Sequence, residues 1–280
     1  MVIEQKQIKY KGKRVFEKLV MKADFKRIPK YFSEDEACFL FLTNGSFQFR
    51  TPTSHQTYSR NEAMLAKCGN YFIERISAKK NVKEETFSAI GAFFYPEIVK
   101  GLFDTDLSIQ NFQKNFDVIK VDIEPLMKSF IDSIDFLLDN PSIADENIII
   151  LKLKELLVLL SKSENATSIN AFVASLFVPH QYDFNEVVQN NLYSDLSLKD
   201  FAKLCNCSVA TFKRKFLELY KESPAKYISI KKLERANQLI HIKNKPIADI
   251  AYECGFETVS NFNRAFKLHF GKTPSQLRLS

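Results

Sequence analysis

The sequence has no tryptophan, only 7 glycines and 9 prolines among 280 residues, and only 4 histidines. No glycine-rich phosphate loop and no nucleophile motif occurs. Catalytic metal sites need closely spaced His with a carboxylate, yet His55 stands far in sequence from His180, His241 and His269. No apolar run reaches ~18 residues and the N-terminus lacks a basic-then-apolar leader, so no membrane segment is expected and a cytoplasmic location is. The five cysteines, Cys38, Cys68, Cys205, Cys207 and Cys254, are odd in number and fit no disulfide framework. Cys205-Asn206-Cys207 is too tight for the usual zinc pair. All five are expected to be reduced, mostly buried thiols. These absences predict no catalytic residue, no metal ligand and no cofactor.

The residues that are present describe a globular chain, with 45% hydrophobic and 26% charged residues. Phe is abundant at 26 residues, so aromatic rings are expected to fill the core. The formal net charge of +7 is unevenly placed. Residues 190–280 carry 16 Lys and Arg against 8 Asp and Glu, which leaves 24 against 25 in residues 1–189. A basic module behind a neutral one suggests that the C-terminal third meets a polyanion, and composition alone leaves a solvated basic surface as the alternative.

The first half reads as strands. Cys38–Thr43 and Ser46–Arg50 flank Asn44-Gly45, and Asn-Gly between aromatic runs predicts a type I′ hairpin. Further strands are predicted at Ala63–Lys67, Tyr71–Ile76, Phe87–Phe94 and Val118–Val121, together a small antiparallel barrel or sandwich. Arg50, Arg60, Glu74 and Arg75 are the polar residues that could line a pocket there, although surface placement is expected, and His55 is expected in a surface loop.

Helical periodicity begins at Pro125–Leu138, with Leu126, Phe130, Ile134 and Leu137 on the apolar face. Asn147–Leu160 is apolar almost all round, which predicts burial against another helix or another subunit. Shorter helices are predicted at Asn170–Phe177 and Phe184–Leu192, and Ser161–Thr167 reads as a loop near the domain boundary.

The C-terminal third repeats itself. Asp200, Ala202 and Cys205 match Asp249, Ala251 and Cys254 at an offset of 49, whereas Phe212, Arg214 and Phe216 match Phe262, Arg264 and Phe266 at an offset of 50. Ser223-Pro224 likewise matches Thr273-Pro274. One inserted residue in the turn explains the change. Each copy reads as helix, tight turn, helix. Ser197 and Asp200 predict a capping box, with Leu198, Phe201, Ala202 and Cys205 inward. Ser208 is a predicted cap for a helix burying Val209, Phe212, Phe216 and Leu219. In the second copy Pro246 opens the first helix, Gly255 permits the turn and Thr258 caps a helix burying Phe262, Ala265 and Phe266. Between the copies, Ser223 is expected to cap a helix running to about His241, with Tyr227, Ile230, Leu233, Ala236 and Ile240 inward.

The outward residues suit base edges. Arg pairs with guanine in bidentate fashion, Asn with adenine, and Lys with guanine or phosphate. A linker of about 18 helical residues spans roughly 27 Å, of the order of the ~34 Å between successive major grooves on one face.

Residues Leu196 to Leu277 resemble the DNA-binding domain of the AraC/XylS family of bacterial transcription regulators. The resemblance rests on both units, the linker, and the run Ile250-Ala251-Tyr252-Glu253-Cys254-Gly255-Phe256 followed by Phe262, Arg264, Ala265, Phe266, Lys267, Phe270, Gly271 and Pro274. It implies that Ala210, Lys213 and Arg214 read bases in the first unit and Ser260, Asn261, Asn263 and Arg264 in the second, with Thr211 on the same DNA-binding surface. Lys267 and Ser208 are assigned to phosphates. One departure is Lys221, at the place where the second unit has Gly271. The N-terminal part more loosely resembles the members that activate type III secretion and virulence genes.

The expected fold is α+β. It has an N-terminal cupin-like β-barrel (1–121) with dimerisation helices (122–165), and an all-α DNA-binding domain over 178–280. That domain comprises a first helix-turn-helix at 196–220, a linker helix at 224–242 and a second helix-turn-helix at 246–270. The expected function is a transcription factor, an activator, reading two successive major grooves with helices 208–219 and 259–269. Its expected partners are double-stranded promoter DNA, RNA polymerase, and a second copy bound through helices 125–160. A small-molecule effector or a regulatory protein is expected to act on the N-terminal domain, and no membrane is involved. The alternative, a cupin-type metalloenzyme fused to a DNA-binding module, lacks the clustered His it would need.

Overall fold

The computed structural model describes residues 2–22, 24–29, 35–75, 86–103, 117–163, 169–178, 181–242 and 244–279. Ile76, Ala166, Thr167 and His180 lie outside them. The chain divides into two compact units. The first is Met1–Thr51 with His55–Gln181, and the second is Tyr182–Ser280 with Pro52–Ser54. The first unit therefore ends at Gln181, later than the expected 165. The helix at Ile169–Ser175 belongs to it because Phe172, Val173 and Leu176 join the hydrophobic core of the strand-rich unit.

Ten strands make two antiparallel sheets among the described residues. They are β1 (Val2–Tyr10), β2 (Lys13–Lys22), β3 (Arg27–Pro29), β4 (Ala37–Asn44), β5 (Ser46–Arg50), β6 (His55–Ser59), β7 (Ala63–Ala66), β8 (Phe72–Glu74), β9 (Thr86–Phe94) and β10 (Val118–Val121). One sheet has the order β1-β2-β9-β4-β7-β10 and the other β3-β8-β5-β6. The two share one core in which Phe39, Phe47, Phe49 and Phe93 are fully buried. β9 is apolar on both faces because it is covered on both, as buried central strands are.

The Asn44-Gly45 hairpin does not form. β4 pairs with β9 and β7, and β5 pairs with β6 and β8, so the dipeptide carries the chain from one sheet into the other. A type I′ turn needs positive φ at both residues. Only Gly45 has it, at +78°. Glycine is required there for another reason as well: a Cβ at this position would lie 2.7 Å from the Thr86 carbonyl oxygen of β9.

Helix α1 (Pro96–Phe103) buries Ile98, Val99 and Leu102. α2 (Pro125–Asp139) packs Met127, Phe130, Ile131 and Ile134 inward, and the Phe130 ring lies 6.5 Å from that of Phe16 on β2. Leu126, expected inward, is 70% exposed, because the apolar face is turned one residue on to Met127. α3 (Glu146–Ser163) extends into the segment read as a loop and buries Ile149, Leu153, Leu156, Leu157 and Leu160. Its Leu151 and Val158 stay exposed. α4 is the helix at Ile169–Ser175.

The second unit is all helical. It contains α5 (Phe184–Asn191), α6 (Leu198–Leu204), α7 (Val209–Tyr220), α8 (Pro224–Ile240), α9 (Ile247–Glu253), α10 (Val259–Phe270) and α11 (Pro274–Arg278). Phe201, Phe212 and Phe216 centre one core, and Phe262, Phe266, Ile250 and Ala251 the other. Leu219 does not point inward but is 51% exposed. On α8 the buried stripe is Ile228, Leu233, Ala236 and Ile240, and Tyr227 and Ile230 are only half-buried. Among the described residues no helix is long and apolar enough to cross a membrane.

Candidate nucleic-acid interface

In the first unit the capping box forms as its sequence implies: the Asp200 amide donates to Ser197 Oγ at 3.2 Å, and the Ser197 amide to Asp200 Oδ2 at 3.0 Å. Helix α6 then ends at Cys205, and Asn206 takes a left-handed turn at φ 48°. The Cys207 amide closes that turn on the Ala202 carbonyl. Gly255 does the same in the second unit at φ 76°, with the Phe256 amide on the Ala251 carbonyl. The equivalence of these bonds identifies the inserted residue as Glu257, between Phe256 and the cap Thr258. Asn is the residue besides Gly that most readily adopts this conformation, so Asn206 was legible once the repeats were aligned, though periodicity alone does not reveal it.

Each second helix starts on a hydroxyl cap. Ser208 Oγ accepts from the Thr211 amide at 3.1 Å, and Thr258 Oγ1 from the Asn261 amide at 3.2 Å. The inward faces are aromatic. Phe201 stacks on Phe212 at 5.8 Å, and Phe256 and Phe262 lie 5.1 Å apart. Phe184 of α5 completes the first core at 5.2 Å from Phe212. Ser223 occupies the α8 N-cap position without a side-chain cap bond, whereas its repeat partner Thr273 makes a full capping box with Gln276.

Buried Phe residues on one side leave the opposite faces in solvent. Ser208, Ala210, Lys213 and Arg214 on α7, and Ser260, Asn261, Asn263, Arg264 and Lys267 on α10, are all exposed. Thr211 is half-buried, with Oγ1 2.9 Å from Ser208 Oγ. Lys213 and Arg214 follow Ala210 by three and four residues, so the three share one helix face. Arg264 Nη2 donates to Asn261 Oδ1 at 3.5 Å, which holds the guanidinium along the helix. Burial pushes the Cys205 thiol up to about 12 and the Cys254 thiol up to about 11, so both stay protonated and apolar in character. None of the five cysteines is joined in a disulfide.

The N-terminal, strand-rich compact unit holds a cavity of about 290 Å³ between its sheets. Its walls are mainly apolar, from residues such as Leu19, Met21, Leu40 and Phe87, with one polar corner at Arg14 and Glu17. There Glu17 Oε1 accepts from Gln5 and Gln7 at 2.5 and 2.7 Å, and Oε2 from Arg14 at 2.8 Å. None of Arg50, Arg60, Glu74 and Arg75 lines this cavity, and the expected surface placement holds for Arg60 but not for Arg50 and Glu74. Arg50 and Glu74 are buried, but they pair with each other at 2.9 Å. His55 is not a loop residue; it opens β6 and sits 2.9 Å from Glu74 Oε2, and Arg27 also bonds Glu74. Among the described residues no group of three or more His, Cys, Asp or Glu could hold a metal ion.

A helix-turn-helix domain profile matches residues 201–280, and the ExsA N-terminal regulatory domain profile matches residues 37–172. The thermoregulatory protein LcrF of Yersinia pestis is 30% identical over 161 residues, covering 56% of this chain and 58% of that protein. The HTH-type transcriptional regulator ExsA of Pseudomonas aeruginosa is 30% identical over 128 residues, 46% of each chain. The transcriptional activator AggR of Escherichia coli is 28% identical over 272 residues, 95% of this chain and 97% of that one. The match thus spans less than two thirds of the length of the Yersinia pestis and Pseudomonas aeruginosa relatives.

Proposed function

The chain belongs to the AraC/XylS family through its C-terminal helix-turn-helix domain, with an ExsA-type regulatory domain before it, and from that premise we propose that it is a sequence-specific transcriptional activator. The observation that carries this reading is the pair of exposed polar faces on α7 and α10, each backed by a buried aromatic core. Each face enters a major groove. Lys213 and Arg214 contact guanine and phosphate in one groove. Asn261, Asn263 and Arg264 read mixed bases in the next, with Ser260 and Ala210 lying against base edges. Ser208 and Lys267 hold phosphates, which position the protein without specifying sequence.

Helix α8, with 17 residues, is about 26 Å long, of the order needed to bridge adjacent grooves. The two faces differ in chemistry, so one subunit reads a non-palindromic site. A second copy binds through α2 and α3, where Leu151, Val158 and Phe136 are apolar and exposed. RNA polymerase is the partner that activation requires.

Control enters through the first unit, and the cavity between its sheets favours a small, largely apolar effector over a protein partner. Selection of bound duplexes from a random DNA library with the full chain tests the central reading. Enrichment of a two-part motif is expected, and recovery of unenriched DNA would overturn it. A thermal-shift screen against apolar and amphiphilic small molecules tests the effector, because a ligand of the folded state must raise stability.

A further inference from the structure

Helix α8 joins the two helix-turn-helix units in sequence, and a helical rod fixes the distance between its ends but not the rotation of what is attached to them. The rotation is held by something else. Lys232 is the middle residue of α8. Its ammonium donates to the Ser194 carbonyl oxygen at 2.6 Å and to the Gly255 carbonyl oxygen at 2.9 Å. Ser194 lies on the lead into α6, where its hydroxyl bonds the Asn191 carbonyl oxygen at 2.6 Å and so ties it to α5. Gly255 is the turn residue between α9 and α10. One cation therefore grips the entrance of the first unit and the turn of the second.

The two backbones also touch without the lysine. A Cβ on Gly255 would lie 2.3 Å from the Tyr193 carbonyl oxygen and 2.5 Å from that of Ser194. Only a residue without a side chain lets the turn seat there. Arg235, one turn along α8, repeats the pattern. Its guanidinium lies 4.6 Å from the Tyr193 ring centre and 3.6 Å from Glu253 Oε1, again one group from each side. Both carbonyl oxygens accept from the one ammonium, and these charge-assisted hydrogen bonds attract the two backbone segments to a common point. An ammonium can serve both because its three donors diverge from one point.

We propose that Lys232 is a positioning residue that locks the relative rotation of α7 and α10, and so sets the base-pair spacing between the two sub-sites the chain recognises. DNA contact is not part of its role. The proposal rests on the DNA-binding reading for the spacing, but the lock itself exists in the free protein and can be measured there.

The experiment therefore has two arms on the full chain. In the first, spin labels carried as unnatural amino acids at the exposed positions Glu218 and Leu268 report the α7–α10 distance distribution without DNA. The wild type gives a narrow distribution, Lys232→Met broadens it about twofold, and Lys232→Arg narrows it again, because a guanidinium also donates to two carbonyls. Gly255→Ala, which forces the turn off Ser194 with Lys232 intact, broadens it independently. That variant keeps the test decisive if Lys232→Met fails to fold. Unchanged distributions in the folded variants overturn the proposal.

In the second arm, affinity is measured on the duplex selected by the wild type and on versions with one base pair inserted between the sub-sites. An insertion rotates one groove against the other and costs the wild type roughly tenfold. Lys232→Met loses affinity on the original duplex and has a penalty for the insertion several times smaller. A uniform loss with the spacing penalty intact means that Lys232 is merely stabilising and overturns the spacing role. If the wild type selects no duplex at all, the DNA-binding reading fails while the first arm still decides the lock.

Discussion

Lys221 and Gly271 hold the same left-handed cap at the ends of equivalent helices, Lys221 at φ 56°, ψ 19° after α7 and Gly271 at φ 75°, ψ −13° after α10. Their amides bond equivalent carbonyls, those of Leu217 and Lys267, at 2.9 and 2.8 Å. The two copies thus impose one backbone on two different residues. The lysine bears a steric cost of ~1 kcal/mol or more that the glycine avoids.

Lys221→Gly should therefore stabilise the helical unit. The gain is about 0.5–1 kcal/mol, since the greater freedom of glycine in the unfolded chain takes back part of the relief. Denaturant melts of the two proteins measure it. A less stable variant would mean that the lysine side chain makes a compensating contact.

Arg264→Ala should weaken binding to the selected duplex by ~1–3 kcal/mol and leave random-sequence DNA almost unaffected. Lys267→Ala should lower both together and reduce the salt dependence by about one ion. Anisotropy titrations at several salt concentrations separate the two. Equal losses on both DNAs for Arg264→Ala would remove it from base reading.

Glu74 answers to Arg50, Arg27 and His55. Burial alone would raise its pKa, but hydrogen bonds from His55 and Arg50 and the charges of Arg50 and Arg27 outweigh this and hold the carboxyl well below the usual carboxylate range. A depressed folded-state pKa stabilises the fold at pH values above the unfolded value of ~4.3. That contribution is lost as pH falls below it towards the folded value. Glu74→Gln should cost about 3–5 kcal/mol at neutral pH, because it strands buried arginine charge. It should also flatten the acid limb of the stability profile of the first unit. A variant whose melting temperature keeps the wild-type pH dependence below pH 5 would show that Glu74 is not the group responsible.

Leu151 is 65% exposed on α3. Leu151→Asp should leave the fold of a single copy intact, since surface changes usually stay within ±0.5 kcal/mol, while shifting the chain towards monomer in sedimentation experiments. A dimer of unchanged stability would place the subunit contact elsewhere.

The helical unit was largely legible in the sequence because its signals are local. Caps at Ser197, Ser208 and Thr258, aromatic residues at helical spacing and the 49-to-50 offset each act within a few residues of themselves, and all take the conformations their chemistry implies. The Asn44-Gly45 step departs from the expected hairpin because a turn dipeptide reports local bending and not which strand its neighbours will pair with. Pairing β4 with β9 brings together residues about fifty positions apart, and only the burial of both faces of β9 selects it. The exposure of Leu126 and Leu219 has the same origin, since periodicity defines a stripe to within one residue and packing chooses its centre.

The two helix-turn-helix units, their caps and their outward residues were thus determined by the sequence itself, through interactions closed within one or two helical turns. The grip of Lys232 on Ser194 and Gly255, the pairing of Glu74 with arginines from two other strands, and the cavity between the sheets were decided by tertiary structure alone. Each depends on groups that share no local pattern and meet only when distant segments are packed together.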